Sequence, residues 1–287
     1  MTSGIQVVLK SPAAGWALQT SDPPTGDRHR PRRSAVPTTV TVAPRSAGDP
    51  EPDLLGITVA HRAMLADLRR LTDLAIAVRD RDVICTPHRA RAISRYVELL
   101  CDSVHHHHTT EDDVLWPVIQ ASGGSHLDLS ELTEDHAALD PRLDQLRARA
   151  ASLRLSMGDR QVASLMVIEL AELSALLTEH IEEEERDVFP LITEHVSVAD
   201  WATVETAARS GGRLWFEGPR ALAVMTDDER AQLTAHAGIG LRIILGVVGL
   251  RYRRLERAVF GTAIPREIEI VQEVPQDEGD ETLDVSR

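Results

Sequence analysis

Two stretches of this chain spell nearly the same pattern. HHTTEDDVLWPVI, beginning at His107, aligns without a gap on HIEEEERDVFPLI, beginning at His180. Each has a histidine, a glutamate four residues on, a second acid, then an apolar and an aromatic residue, a proline and an apolar pair. A histidine and a carboxylate four apart lie one above the other on a helix face, so His107 with Glu111 and His180 with Glu184 can each grip one metal ion. A fainter H-x-A-[ML] recurs at His61 and His136. The separations are alike too: 46 residues from His61 to His107 and 44 from His136 to His180. Two facing pairs would give imidazole nitrogens to both ions and carboxylates to bridge them, with one terminal ligand each from His61 and His136. Nitrogen-plus-carboxylate sites with open positions suit iron, and less selectively manganese or zinc.

His107 belongs to a run of four, His105 to His108. It is the expected ligand, because it holds both the apolar register and the repeat alignment. His108 competes with it, since His108 and Asp112 have the same spacing as His107 and Glu111. His105 and His106 are expected to point outward.

These residues need helices to position them. Apolar residues recur at alternating intervals of three and four along four segments, as in helices facing a shared core. The first runs from Ile57 to Val78 and the second starts at Thr86-Pro87, a cap and first-turn pair. The third runs from Leu129 to Leu153, and the fourth from Met166 to Glu184 with Val188 and Leu191 beyond. His61, His107, His136 and His180 sit in these apolar stripes, one per helix. Glu111 and Glu184 join them, and buried carboxylates cost several kcal/mol unless they are paired or bind metal. The breaks DRDVICTP, ASGGSH and SLRLSMGD are short, which implies antiparallel neighbours and an all-α, up-down four-helix bundle over 53–196. It reads as a duplicated helical hairpin. Pro117, Pro141 and Pro190 should mark kinks or end turns, and a fresh helix can start at Asp140-Pro141.

Residues 1–50 are rich in Pro, Thr, Ser and Arg without periodicity and are expected to be disordered and to add nothing to the fold. The run RHRPRR at 28–33 reads as a solvated tail rather than a nucleic-acid contact. Residues 197–262 form a C-terminal helical extension of two stretches, one capped by Ser197 and one opened by a Thr226–Glu229 capping box. The extension should pack against the bundle. Residues 263–287 read as an acidic disordered tail.

The formal charge of −14 sets aside general nucleic-acid binding and attraction to anionic membranes. Cys85 and Cys101, the two cysteines, form no C-x-x-C pattern, which excludes a disulfide framework and fits a reducing compartment. The N-terminal stretch has no apolar segment of signal-peptide length, and Arg32-Arg33 precedes none either. The longest apolar run, 237–250, carries Arg242 and is too short to span a bilayer. The expectation is a soluble, cytoplasmic protein without a membrane span; no protein partner is specified.

HRAML, HHTTEDDVLWP, EDHAAL and HIEEEERDVFP together resemble the hemerythrin-like HHE cation-binding domains over about residues 53–195. That resemblance implies a four-helix bundle holding a non-haem di-iron centre that meets dioxygen, peroxide or nitric oxide. It also implies a bridging carboxylate five residues after the fourth-helix histidine, which would be Glu185 with Glu184 as its neighbour; both are kept as candidates. Dioxygen-carrying members have two histidines four apart on the third helix, five in all. Here the positions four either side of His136 are Leu132 and Asp140. Reversible carriage is therefore not carried over, and redox turnover of a small oxidant, peroxide foremost, is expected. The alternative is a module that senses oxygen or iron, or holds iron, without catalysis.

Overall fold

The computed structural model describes residues 5–9, 38–43, 45–124, 128–236 and 239–261. Helices α1 (Leu55–Asp80) and α2 (Pro87–Thr110) are followed by a short α3 (Trp116–Ile119), then α4 (Ser130–Leu155), α5 (Arg160–Asp187) and α6 (Phe189–His195). The C-terminal part adds α7 (Val198–Gly211), α8 (Leu214–Val224), α9 (Asp227–His236) and α10 (Ile239–Phe260). Their caps follow from sequence. Thr86 accepts from the Arg89 amide with Pro87 in the first turn, Asp159 caps α5, and Ser197 caps α7. Thr226 and Glu229 exchange the two bonds of a capping box, at 2.8 and 3.3 Å.

The long helices pack in the order α1 on α5, α5 on α4 and α4 on α2, while α1 and α2 barely touch. The space between them is filled by α8 and α10, which lie against α1 and α2 respectively and against each other. One apolar cluster accordingly runs from Leu68 and Leu71 through Leu100, Leu146 and Leu170 to Phe216 and Tyr252. Within it lies a polar knot tying four helices. The Tyr96 hydroxyl donates to Asp67 at 2.7 Å and meets the Tyr252 hydroxyl at 3.1 Å. Buried Arg220 donates through Nε to the same Asp67 and through Nη1 to Glu217 and Ser103. A helix over Leu214–Val224 was not expected from the sequence, and it brings Phe216 and Arg220 to the core.

The prolines divide as their chemistry requires. Just before Pro117 the chain widens into a π-helical turn, Glu111–Leu115, in which the Trp116 amide reaches back to the Glu111 carbonyl. Pro190 occupies the first turn of α6, so the fourth segment is not continuous but breaks at Val188. Pro141 sits inside α4, which runs unbroken from Ser130 to Leu155; no fresh helix starts there. The α4–α5 connection needs Gly158 at φ 82°, where a side-chain carbon would overlap Cβ of Cys85.

The expectation that residues 1–50 add nothing to the fold is corrected. Ile5–Leu9 (β1) pairs antiparallel with Thr38–Val42 (β2), Ile5 opposite Val42. Val42 is fully buried, the Ala43 amide donates to Asp200 at 3.0 Å, and Arg45 donates to the Thr193 carbonyl at 2.8 Å. Composition alone could not show this, because the anchoring partners lie about 150 residues away. The run at 28–33 and the acidic tail 263–287 fall outside the described residues. Among the described residues, one helical stretch, Arg160–His195, is long and apolar enough to cross a membrane by length and composition. Its apolar stripe, including Met166, Leu170, Leu173 and Leu177, is buried among the other long helices.

Candidate metal centre

His61 on α1, His107 and His108 at the end of α2, His136 on α4 and His180 on α5 converge on one interior region, with Glu111 and Glu184 among them. The donors form two groups, His108, Glu111, His136 and His180, and His61, His107, Glu111 and Glu184; within each, one ligand atom per residue lies within 4.8 Å of the others. Glu111 belongs to both. Every member is buried except His107, which is half-buried.

Several contacts are those of donors gathered round a point rather than bonded to each other. Nε2 of His61 lies 3.0 Å from Nε2 of His107, and Nε2 of His136 lies 3.0 Å from Nε2 of His180. Glu111 Oε1 is 2.8 Å from His107 Nε2, yet neither oxygen of Glu111, nor either of Glu184, has a hydrogen-bond partner. Nε2 of His108 has none either. Two carboxylates and an imidazole left unsatisfied in a buried interior are costly, and a cation satisfies all of them at once. The residues present therefore fit a metal.

The outer contacts repeat the duplication seen in the sequence. Glu185 accepts from Nδ1 of His61 at 2.8 Å, and Asp112 accepts from Nδ1 of His136 at 2.9 Å. The aromatic residue of each repeat covers the same histidine: Phe189 stacks on His61 and Trp116 on His136, both with centroids 6.1 Å apart. Trp116 also donates its indole N–H to Asp112 at 3.1 Å. Each repeat thus sends its second acid and its aromatic ring to the histidine of the other hairpin. Such carboxylates fix the tautomer and direction of a metal-facing imidazole. Asp112 in this role was missed, although its place in the repeat beside Glu185 carried the signal.

Electrostatics divide the ring nitrogens. Burial, with His61 next, pushes the pKa of His107 down to about 3, and burial likewise holds His108 well below its usual value. Burial also lowers His180, with His136 adding to it, to about 4. For His61 burial acts the same way but is outweighed by the carboxylates of Glu184, 3.3 Å away, and Glu185, which raise it to about 10. Burial and the neighbouring Glu184 push Glu111 upward. Burial would raise Glu184, but the facing His61 outweighs it and holds that carboxylate below its usual value, so His61 and Glu184 form an oppositely charged pair at neutral pH.

Residues 56–192 match the family model of the hemerythrin HHE cation binding domain. The chain carries a hemerythrin HHE domain. No curated protein and no solved structure matches the chain. The HHE domain implies cation binding, commonly of iron, and its helical architecture agrees with the four long helices described above.

Three expectations about this HHE domain change. His107 and His108 are not alternatives, since both face inward, one in each donor group. Glu185 does not lie between the groups; it stands behind His61, and Glu184 is the inward acid. The two groups contain five histidines rather than four, His108 on the second long helix being the addition. Leu132 is packed in an apolar cluster and exposed Asp140 bonds His105 at 2.9 Å, so neither position enters the centre. His106 bonds the Ala208 carbonyl at 2.8 Å and faces away, as expected for it and His105.

Proposed function

We propose that the HHE domain holds a non-haem di-iron centre that meets a small oxidant (dioxygen, peroxide or nitric oxide) and turns it over by redox chemistry. The observation that supports this is the pair of buried donor groups sharing Glu111. In this reading of an up-down four-helix bundle, His108, His136 and His180 would hold one ion and His61, His107 and Glu184 the other, with Glu111 available to both. Glu185 and Asp112 position ligands rather than bind metal. Manganese and zinc can use the same donors; iron is favoured because the site combines neutral nitrogens, carboxylates and open positions. When bound, iron supplies Lewis acidity and one-electron redox change.

The chain's own residues prepare this chemistry. The proton on Nε2 of His61, which faces Glu184 at 3.3 Å, must leave when a cation enters, so loading releases protons. Phe189 and Trp116 cover the outer faces of His61 and His136 and keep water from them. Four protein donors per ion leave positions for an exogenous ligand. The two cysteines are free thiols, which fits the reducing cytoplasmic setting this reading includes.

A second reading, reversible binding without turnover, gains from the fifth imidazole, His108, since a count of four argued against it. One experiment separates the two. Purified protein is analysed for metal, loaded with ferrous iron, and followed optically under air and with added peroxide. Turnover predicts two ions per chain and consumption of many equivalents of peroxide. A spectral change that reverses on degassing, with no peroxide consumed, establishes reversible binding instead.

A further inference from the structure

A cleft of about 160 Å³ opens between α4 and α5, lined by Asp135, Glu179, Glu183 and His180 over a floor of Leu139 and Leu176. We propose that this cleft is where a divalent cation enters the centre, held as its hydrate by Asp135, Glu179 and Glu183 and passed inward by His180. The proposal rests on the metal-centre reading above and names how that site is loaded.

His180 forms the wall between cleft and centre. It is 2% exposed, and its Nε2 faces His136 inside the centre. Its Nδ1 is buried without a hydrogen-bond partner, with the Asp135 carboxylate 3.6 Å away. An imidazole with one nitrogen in the donor set and the other free at the cleft can bridge the two by a swing of its ring.

The lining charge selects the traveller. Three carboxylates and no lysine or arginine line the cleft, so it attracts cations, repels anions and is indifferent to neutral dioxygen. The acids occupy a regular place, since Asp135, Glu179 and Glu183 each precede an inward residue: His136, His180 and Glu184. They stand at the surface end of the same helical turns. Their oxygens belong to neither close-set donor group among the described residues, so they do not strip an ion of water. At about 30 Å³ per water, the cleft holds roughly five, the size of a cation with most of its first shell.

The test measures uptake, not activity. Metal-free full-length protein is mixed with cobalt(II) in a stopped-flow instrument, and the visible absorption is followed to its end point. The triple variant Asp135→Asn, Glu179→Gln, Glu183→Gln should load roughly tenfold or more slowly at low salt. It should reach the wild-type end point, and the difference should shrink as salt screens the cleft. Glu98→Gln, an exposed acid on α2, should load like wild type. Equal rates for triple variant and wild type overturn the entry site while leaving the centre in place. A lower end point at unchanged rate also overturns it, because the acids would then be ligands. No cobalt uptake by wild type overturns the metal centre itself. If the triple variant loses helicity by circular dichroism, the single variants decide: slowing in each supports the entry site, and slowing in none overturns it.

Discussion

His107 and His108 are neighbours in the chain, yet they face different donor groups of one centre. Adjacent helical residues point about 100° apart, and an apolar stripe at least that wide lets two neighbours straddle its middle. Removing one should then empty one group only. His108→Ala and His107→Ala are each expected to drop metal content from about two ions per chain to about one. Glu111→Ala should lose both, while His105→Ala and His106→Ala keep both; metal analysis of purified variants reads this directly. Asp112→Ala and Glu185→Ala should retain the ions but bind them roughly 10–100-fold more weakly in competition with a chelator, because each frees the histidine it orients. At this scale the sequence was legible where two signals coincided: His107, Glu111, His180 and Glu184 hold both the stripe and the repeat. It was not legible for His108, which the repeat alignment pairs with Ile181 and which its spacing to Asp112 offered only as a rival to His107. Nor could spacing alone decide between Glu184 and Glu185, because the direction of each depends on where α1 packs.

The helices themselves were easier to read than their irregularities. Long amphipathic stretches with Thr86, Ser197 and Thr226 at their starts leave little choice of element. Leu214–Val224 escaped because Gly218 and Pro219, both helix breakers, lie inside it. The π-helical turn at Glu111–Leu115 was equally hidden, since a proline at 117 signals some disturbance but not which. The α4–α5 connection offers a sharp test. Gly158→Ala must place a methyl against Cys85 at a left-handed backbone position. It is expected to destabilise the protein by about 1–3 kcal/mol, from strain and overpacking together. Chemical denaturation would show this as a lower midpoint. Metal content should be unchanged, because the connection lies at the far end of the helices from the centre.

At the scale of the molecule, the knot of Asp67, Tyr96, Arg220 and Tyr252 makes α8 and α10 part of the core rather than an appendage. Arg220→Ala leaves the buried Asp67 carboxylate with Arg70 at 3.5 Å and Tyr96 as its remaining partners, a loss of about 2–4 kcal/mol. Thermal melting of the variant should show it as a large drop in midpoint. The sequence placed helices after residue 197 and expected them to pack, but it could not reveal that they stand between α1 and α2. That depends on those two helices failing to meet, which no local pattern encodes.

The space between α1 and α2 also decides what can be cut from this chain. The family match ends at residue 192, and descent alone would make that a natural boundary. A chain trimmed there would open a trench along α1 and α2, stripping cover from Tyr96 and leaving Asp67 without Arg220. Such a fragment is expected to be poorly soluble and to bind hydrophobic dyes, which a fluorescence titration beside the full-length protein would reveal. The matched unit and the unit that covers its own apolar surface are different lengths of the same chain, and here the second is longer by the α8 and α10 that fill the trench.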